Sequence, residues 1–79
     1  MPESIAERVR KVMALTFNVA PDSIADTAQQ SDVAGWDSIG HANLVFGLEE
    51  EFEVHLSDDV MPTLRSFPVI VAHFQQQLS

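Results

Sequence analysis

The sequence predicts an all-α fold, a four-helix bundle with a long first loop and a short third helix. Apolar residues recur at steps of three and four in separate segments, and a residue that favours helix starts precedes each segment. With 79 residues, 46% of them hydrophobic, and no cysteine, the chain has room for one domain, residues 1–79. Its core has to form without disulfides or a thiolate metal site.

The first helix is predicted to begin at Ser4, because Ser4 and Glu7 have the spacing of a capping box. It should end near Phe17 or Asn18. Its predicted buried face is apolar and consists of Ile5, Val9, Val12, Met13 and Phe17. The predicted solvent side is basic and consists of Arg8, Arg10 and Lys11.

A long loop is predicted over residues 18–37, where Pro21 and Gly35 interrupt a polar stretch. Ile24 and Val33 are isolated apolar residues, and we expect them to pin this loop onto the helices. A loop of this length in a small domain is usually functional.

Asp37 is the predicted N-cap of the second helix, which should extend to Phe52. The helical repeat predicts a core stripe formed by Leu44, Val45, Leu48 and Phe52. It puts Ile39 and Phe46 on the opposite side, facing solvent. Gly40 and Gly47 indicate either a segment that approaches closely or glycines that the helix simply tolerates, and His41 is predicted to be partly buried and hydrogen-bonded.

Two further helices are predicted after the second. Ser57 should cap a short third helix that Pro62 limits, because proline lacks the amide donor of a helix interior. Ser66 should cap the last helix, with Pro68 in its first turn. Its predicted buried face is apolar and consists of Phe67, Ile70 or Val71, Phe74 and Leu78.

The charge balance excludes several classes of partner. Four basic and 12 acidic residues give a net charge of −8, which opposes binding to nucleic acid or to anionic membranes. The sequence has no long apolar run and no pattern of a secretory signal, so we expect a cytoplasmic protein. We also expect a monomer.

Ser38 lies in the predicted first turn of the second helix, where free amides and the helix dipole favour a phosphate ester. The Asp-Ser pair alone is more typical of an ordinary helix start. A serine hydrolase is excluded because His41 follows on the same helix and no strand precedes the serine. The three histidines lack metal-ligand spacing, so no metal site is predicted.

The segment Gly35–Phe52 resembles the acyl carrier protein family around its phosphopantetheine attachment serine. The family pattern is Asp-Ser followed by Leu or Ile, and then an amphipathic helix that ends in a Leu-Glu-Glu-Glu-Phe-like sequence. The resemblance covers nearly the whole chain. It implies a carrier, not an enzyme, with no catalytic residues.

By this resemblance, a phosphopantetheinyl transferase attaches 4'-phosphopantetheine from coenzyme A to Ser38, and the arm holds acyl or aminoacyl groups as thioesters. Asp37 and Ile39 flank the site and are read by the transferase. The implied partners are acyl-loading and acyl-transferring enzymes with basic surfaces. The implied contact residues are Ile39, Asn43, Phe46, Glu49, Glu50, Asp58 and Asp59. The implied lining of an acyl pocket is Leu48, Leu56, Leu64 and Ile70.

The chain departs from the commonest fatty-acid carriers at three positions. Trp36 replaces a small or aliphatic residue, and Gly40 and Asn43 replace residues that are often acidic. We therefore expect a specialised fatty-acid or polyketide-like pathway. The alternative is an unmodified acidic adaptor that binds basic proteins through Ile39 and Phe46.

Overall fold

Three α-helices pack around one apolar core in the computed structural model, which describes residues 4–78 apart from the side chain of Leu78. Helix α1 is Ile5–Phe17, helix α2 is Ser38–Phe52 and helix α3 is Phe67–Leu78. Within residues 4–78 there is no strand, only an isolated bridge between Gln29 and Ser66. The predicted all-α class is therefore confirmed.

Helix α1 begins and ends where the sequence predicts. The Ser4 hydroxyl accepts a hydrogen bond from the Glu7 amide at 3.1 Å and donates one to the Glu7 carboxylate at 3.3 Å. Asn18 follows the last helical residue in the left-handed conformation, with φ 55°. The predicted inner face is confirmed, since Val9, Val12 and Met13 are buried and Ile5 and Phe17 are half-buried.

The prediction that the basic side chains of α1 lie in solvent is correct only for Lys11. Arg8 donates to the Glu51 carboxylate at 2.8 Å and to the Glu51 carbonyl at 2.6 Å. Arg10 donates to the Ile24 carbonyl at 3.2 Å. Both stems cover apolar surface while the guanidinium groups reach acceptors on neighbouring segments, which helical periodicity alone does not reveal.

Helix α2 also has the predicted bounds. The Asp37 carboxylate accepts from the Gly40 amide at 2.8 Å, and Glu53 ends the helix in the left-handed conformation, with φ 54°. The predicted core stripe is buried and consists of Leu44, Val45, Leu48 and Phe52.

The predicted short third helix is replaced by a single 3₁₀ turn, Met61–Thr63, so the described chain has three α-helices and not four. The amides of Val60 and Met61 both donate to the Ser57 carbonyl, at 3.1 and 3.2 Å. Pro62 then removes the next backbone donor and stops the helix from propagating. Ser57 therefore starts a turn and not a helix.

The loop between α1 and α2 contains two 3₁₀ turns, Pro21–Ser23 and Gln30–Asp32. Ile24 is buried and Val33 is half-buried, as the sequence predicts. The Gln30 amide also donates to the Arg65 carbonyl at 2.9 Å. This bond ties the loop to the segment that precedes α3.

Helix α3 closes the core. The Ser66 hydroxyl accepts from the Val69 amide at 3.4 Å, and the rings of Phe52 and Phe74 lie 4.2 Å apart between centroids. Phe67 and Ile70 are buried as well, which confirms the predicted face, whereas the side chain of Leu78 lies outside the described part. Among the described residues, no helix has the length and apolarity needed to cross a membrane.

Candidate functional site

Ser38 is the first residue of α2, and its side chain is exposed. The N-cap is Asp37, whose carboxylate accepts from the Gly40 amide at 2.8 Å. The first backbone bond of the helix runs from the His41 amide to the Asp37 carbonyl at 2.7 Å. Asp37 thus performs the capping, and the Ser38 hydroxyl is available for chemistry at a helix end that favours negative charge.

A glycine pair fixes the backbone just before Ser38. Gly35 has φ +87°, and a Cβ atom on Gly40 would overlap the Gly35 carbonyl oxygen and lie 3.1 Å from Cε1 of Phe17. The loop therefore lies directly on the first turn of α2. This contact explains Gly40, for which the sequence indicates either a close approach or simple tolerance by the helix.

Trp36 and His41 form a buried polar contact behind the serine. The Trp36 side chain is 4% exposed, and its Nε1 donates to Nδ1 of His41 at 2.9 Å. Nε2 of His41 lies 2.7 Å from the Met61 carbonyl oxygen. The prediction that His41 is partly buried and hydrogen-bonded is confirmed.

An open cleft of about 290 Å³ lies beside Ser38. Its walls come from the first loop, the start of α2 and the segment before α3. It is lined by Gln30, Ser38, His41, Met61, Pro62 and Arg65. A group attached to the Ser38 oxygen therefore has space beside it, with both apolar and polar side chains within the same cleft.

The exposed apolar pair predicted from the helical repeat is present. Ile39 is 75% exposed and Phe46 is 60% exposed. Asn43 lies between them in sequence on the same helix and is also exposed. The outer face of α2 therefore presents two large apolar side chains to solvent.

The acidic residues of the predicted contact set differ in their surroundings. Glu50, Asp58 and Asp59 are exposed. Glu49 is half-buried, and its Oε2 accepts from the Leu56 amide at 2.8 Å and lies 3.3 Å from Nδ1 of His55. The Glu49 carboxylate therefore holds the chain that leaves α2.

The predicted acyl-pocket residues all lie in the hydrophobic core. Leu48, Leu64 and Ile70 are fully buried, and Leu56 is 3% exposed. These four side chains come from α2, α3 and the segment between them, and they belong to one core cluster.

Sequence reasoning missed four residues that line the cleft, namely Gln30, Met61, Pro62 and Arg65. Gln30 lies in the loop before Ser38, whereas the other three are more than 20 positions after it, and only the fold brings them near it. The bond between Trp36 and His41 was also missed, although a tryptophan in a polar loop followed by a histidine in the next helix is a usable signal.

Comparison with known proteins identifies the family, although no family model matches the chain. The acyl carrier protein of Phenylobacterium zucineum (strain HLK1) is 30% identical over 74 residues, which cover 94% of this chain and 94% of the relative. The match includes nearly the whole described fold. The chain therefore belongs to the acyl carrier protein family, and it is a carrier and not an enzyme.

Proposed function

We propose that Ser38 carries a 4'-phosphopantetheine arm on which acyl or aminoacyl groups travel between partner enzymes. The observation that carries this proposal is the exposed Ser38 hydroxyl, which lies beside the cleft while Asp37 performs the capping. Acyl carrier proteins generally hold this prosthetic group. The donor is coenzyme A, and a phosphopantetheinyl transferase catalyses the attachment.

The residues around Ser38 fit a phosphate ester on its oxygen. The helix start supplies free backbone amides and the positive end of the dipole, and Arg65 lines the same cleft. When bound, the arm supplies the thiol that holds cargo as a thioester, a function that this cysteine-free chain cannot provide from its own side chains. Asp37 and Ile39 present the serine to the transferase from either side.

We propose that Ile39 and Phe46 form the apolar centre of the partner surface. Together with Asn43 they are exposed on α2, with Glu50 near them and Asp58 and Asp59 beyond the helix. Carboxylates at the rim of such a surface increase the rate of encounter with a basic partner. Glu49 contributes its charge at this surface while its carboxylate stays bound to the Leu56 amide.

The cargo pocket that we propose is the part of the core that contains Leu48, Leu56, Leu64 and Ile70. All four are aliphatic and buried, so an acyl chain inserted among them exchanges water for apolar contacts. Entry requires these packed side chains to move apart, because protein cores are dense. A thioester with an eight-carbon chain should shift the methyl NMR signals of these residues, with Leu15 on α1, which is 78% exposed, as the unaffected reference.

Three substitutions favour a specialised pathway of fatty-acid or polyketide-like chemistry in the cytoplasm. Trp36 is buried behind the site, while Gly40 and Asn43 remove acidic groups from the start of α2. The partner surface near the serine therefore carries less negative charge than the same surface of carriers that follow the family pattern. If a general fatty-acid synthase system used this chain as fast as it uses its native carrier protein, the result would contradict this assignment.

Thioester chemistry tests the proposal. The protein is incubated with coenzyme A that bears a radiolabelled acetyl group, magnesium and a promiscuous phosphopantetheinyl transferase. We expect label on the wild-type chain, release of that label by neutral hydroxylamine, and no label on Ser38→Ala. A folded wild-type chain that takes no label while a control carrier is labelled would instead support the unmodified adaptor.

A further inference from the structure

We propose that His41 is a positioning residue for the Ser38 site, in which the neutral imidazole joins Trp36 to the Met61–Thr63 turn and so fixes the cleft beside the serine. This inference rests on the proposed function of Ser38. His41 lies one turn after Ser38 on α2, and its ring lines the cleft that Ser38 also lines.

The protonation of the His41 ring follows from its two partners. An indole nitrogen is only a donor, so Nδ1 of His41 has to accept the hydrogen bond from Trp36 Nε1, which is 2.9 Å away. The planes of the two rings differ by 13°, which suits an in-plane N–H···N bond. The Met61 carbonyl is only an acceptor, so Nε2 of His41 has to donate across 2.7 Å.

Only the neutral tautomer with its proton on Nε2 satisfies both partners. The tautomer with its proton on Nδ1 would set two N–H groups against each other at Trp36 and two acceptors against each other at Met61. The doubly protonated ring would likewise point a hydrogen at the indole hydrogen. Because the Trp36 side chain is 4% exposed, its N–H loses water on burial and gains His41 as its acceptor. A leucine of similar volume in place of His41 would therefore leave the indole N–H without an acceptor and the Met61 carbonyl with the Leu64 amide, 3.3 Å away, as its remaining donor.

Hydrogen bonds connect three separate segments through this ring. Gln30 Nε2 donates to the Trp36 carbonyl at 3.1 Å, Trp36 donates to His41, and His41 donates to the Met61 carbonyl. Gln30, His41 and Met61 each line the cleft. The network thus joins the first loop, α2 and the turn that replaces the third helix, which together form the cleft walls.

The functional consequence concerns recognition by the transferase. Without the His41 bonds, Trp36 and the Met61–Thr63 turn sample other positions, and the transferase has to select the ordered arrangement. The apparent affinity of the transferase for the carrier equals the intrinsic affinity multiplied by the fraction of chains in that arrangement, so it decreases as that fraction decreases. The turnover number of the bound complex, in which the site is ordered again, should change little.

Transferase kinetics on purified variants test this role. At a temperature where circular dichroism shows each variant to be fully folded, His41→Leu should raise the KM for the carrier about three- to tenfold, the factor that corresponds to one buried hydrogen bond. Its kcat should stay within about twofold of the wild-type value. His41→Gln offers a carbonyl to the indole and an amide to Met61, so it should restore a KM close to that of the wild type. The exposed His55→Gln variant is the matched control and should not change KM.

Nuclear magnetic resonance provides a readout that a packing role does not move. The ring ¹⁵N signals of His41 should show the tautomer protonated at Nε2. The indole N–H signal, unique because the chain has one tryptophan, should exchange slowly with solvent in the wild type and in His41→Gln, and faster in His41→Leu.

Either of two results overturns the inference, namely a His41→Leu variant with an unchanged KM and slow indole exchange, or a wild-type ring protonated at Nδ1. Failure of the proposed function looks different. In that case the transferase does not modify the wild-type chain, although it modifies a control carrier and the tautomer and indole exchange are as expected. The positioning role for attachment then falls together with the function of Ser38.

Discussion

The carbonyl oxygen of Gly35 lies where the side chain of residue 40 would begin. Gly35 reaches this position through its left-handed backbone, with φ +87°, and Gly40 accepts it because it has no Cβ. The contact sets the loop onto α2 three residues before Ser38. The direction in which the chain approaches Ser38 thus depends on this glycine pair.

Gly40→Ala should destabilise the protein even though alanine favours helices by about 1 kcal/mol over glycine. The added Cβ overlaps backbone, which cannot move aside as a flexible side chain can, so we expect a net loss of about 1–3 kcal/mol in the free energy of unfolding. Urea denaturation provides the measurement. Asn43→Ala on the exposed side of the same helix is the control and should be neutral or slightly stabilising. A more stable Gly40→Ala variant would show that the loop does not lie on α2 as described.

Arg8→Lys should lower the free energy of unfolding by about 0.5–1.5 kcal/mol, because an ammonium group cannot reproduce the two-pronged contact of the guanidinium. Arg8 binds both the carboxylate and the carbonyl of Glu51, and its guanidinium lies 4.4 Å above the centre of the Phe52 ring. Thermal and urea unfolding should both show the loss. Equal stability of the two proteins would mean that only the charge of residue 8 matters.

The pair Ile39→Gln and Phe46→Gln separates binding from stability. Both side chains are largely exposed, so each change should alter the free energy of unfolding by no more than about 0.5 kcal/mol. Each should raise the KM of the transferase or of a loading enzyme, since the apolar centre of the contact is lost. Leu15→Gln on α1 removes an apolar side chain that is 78% exposed and lies outside the proposed surface. If Leu15→Gln raises KM as much as the α2 variants do, the surface has been assigned incorrectly.

Glu49→Gln and Glu50→Gln should differ in their effect on stability. Glu49 accepts from the Leu56 amide, so its neutral variant should lose about 0.5–1 kcal/mol of stability, a small value because the group is partly solvated. Glu50 is exposed, and its variant should keep full stability but slow the association with basic partners at low salt. Denaturation and stopped-flow binding at two salt concentrations distinguish these effects. An equal free energy of unfolding and an equal association rate for the two variants would contradict the different surroundings of the two carboxylates.

Local signals in the sequence predicted much of the fold. Ser4 and Asp37 mark the helix starts because their side chains satisfy amides within the next turn, and this geometry depends only on nearby residues. The 3.6-residue repeat predicted the exposure of Ile39 and Phe46 for the same reason. The structure bears out each of these predictions.

Features that depend on distant residues could not be predicted in this way. Arg8 leaves solvent because Glu51 ends up beside it, and His41 finds its acceptor on Met61, 20 positions away in sequence. The third helix is missing for a local reason. Pro62 limits its length as the sequence predicts, and the segment before Pro62 is too short to form an α-helix. Contacts across the fold therefore decide the walls of the site, whereas local sequence decides where Ser38 lies.

Intact mass spectrometry tests the central claim most directly. The purified protein is weighed before and after incubation with coenzyme A, magnesium and a promiscuous phosphopantetheinyl transferase, beside Ser38→Ala and the matched exposed-serine variant Ser31→Ala. We predict that the wild type and Ser31→Ala each gain the mass of one phosphopantetheine and that Ser38→Ala gains nothing. An unchanged mass for the folded wild-type chain, or the same gain on Ser38→Ala, would contradict the assignment of Ser38 as the attachment residue.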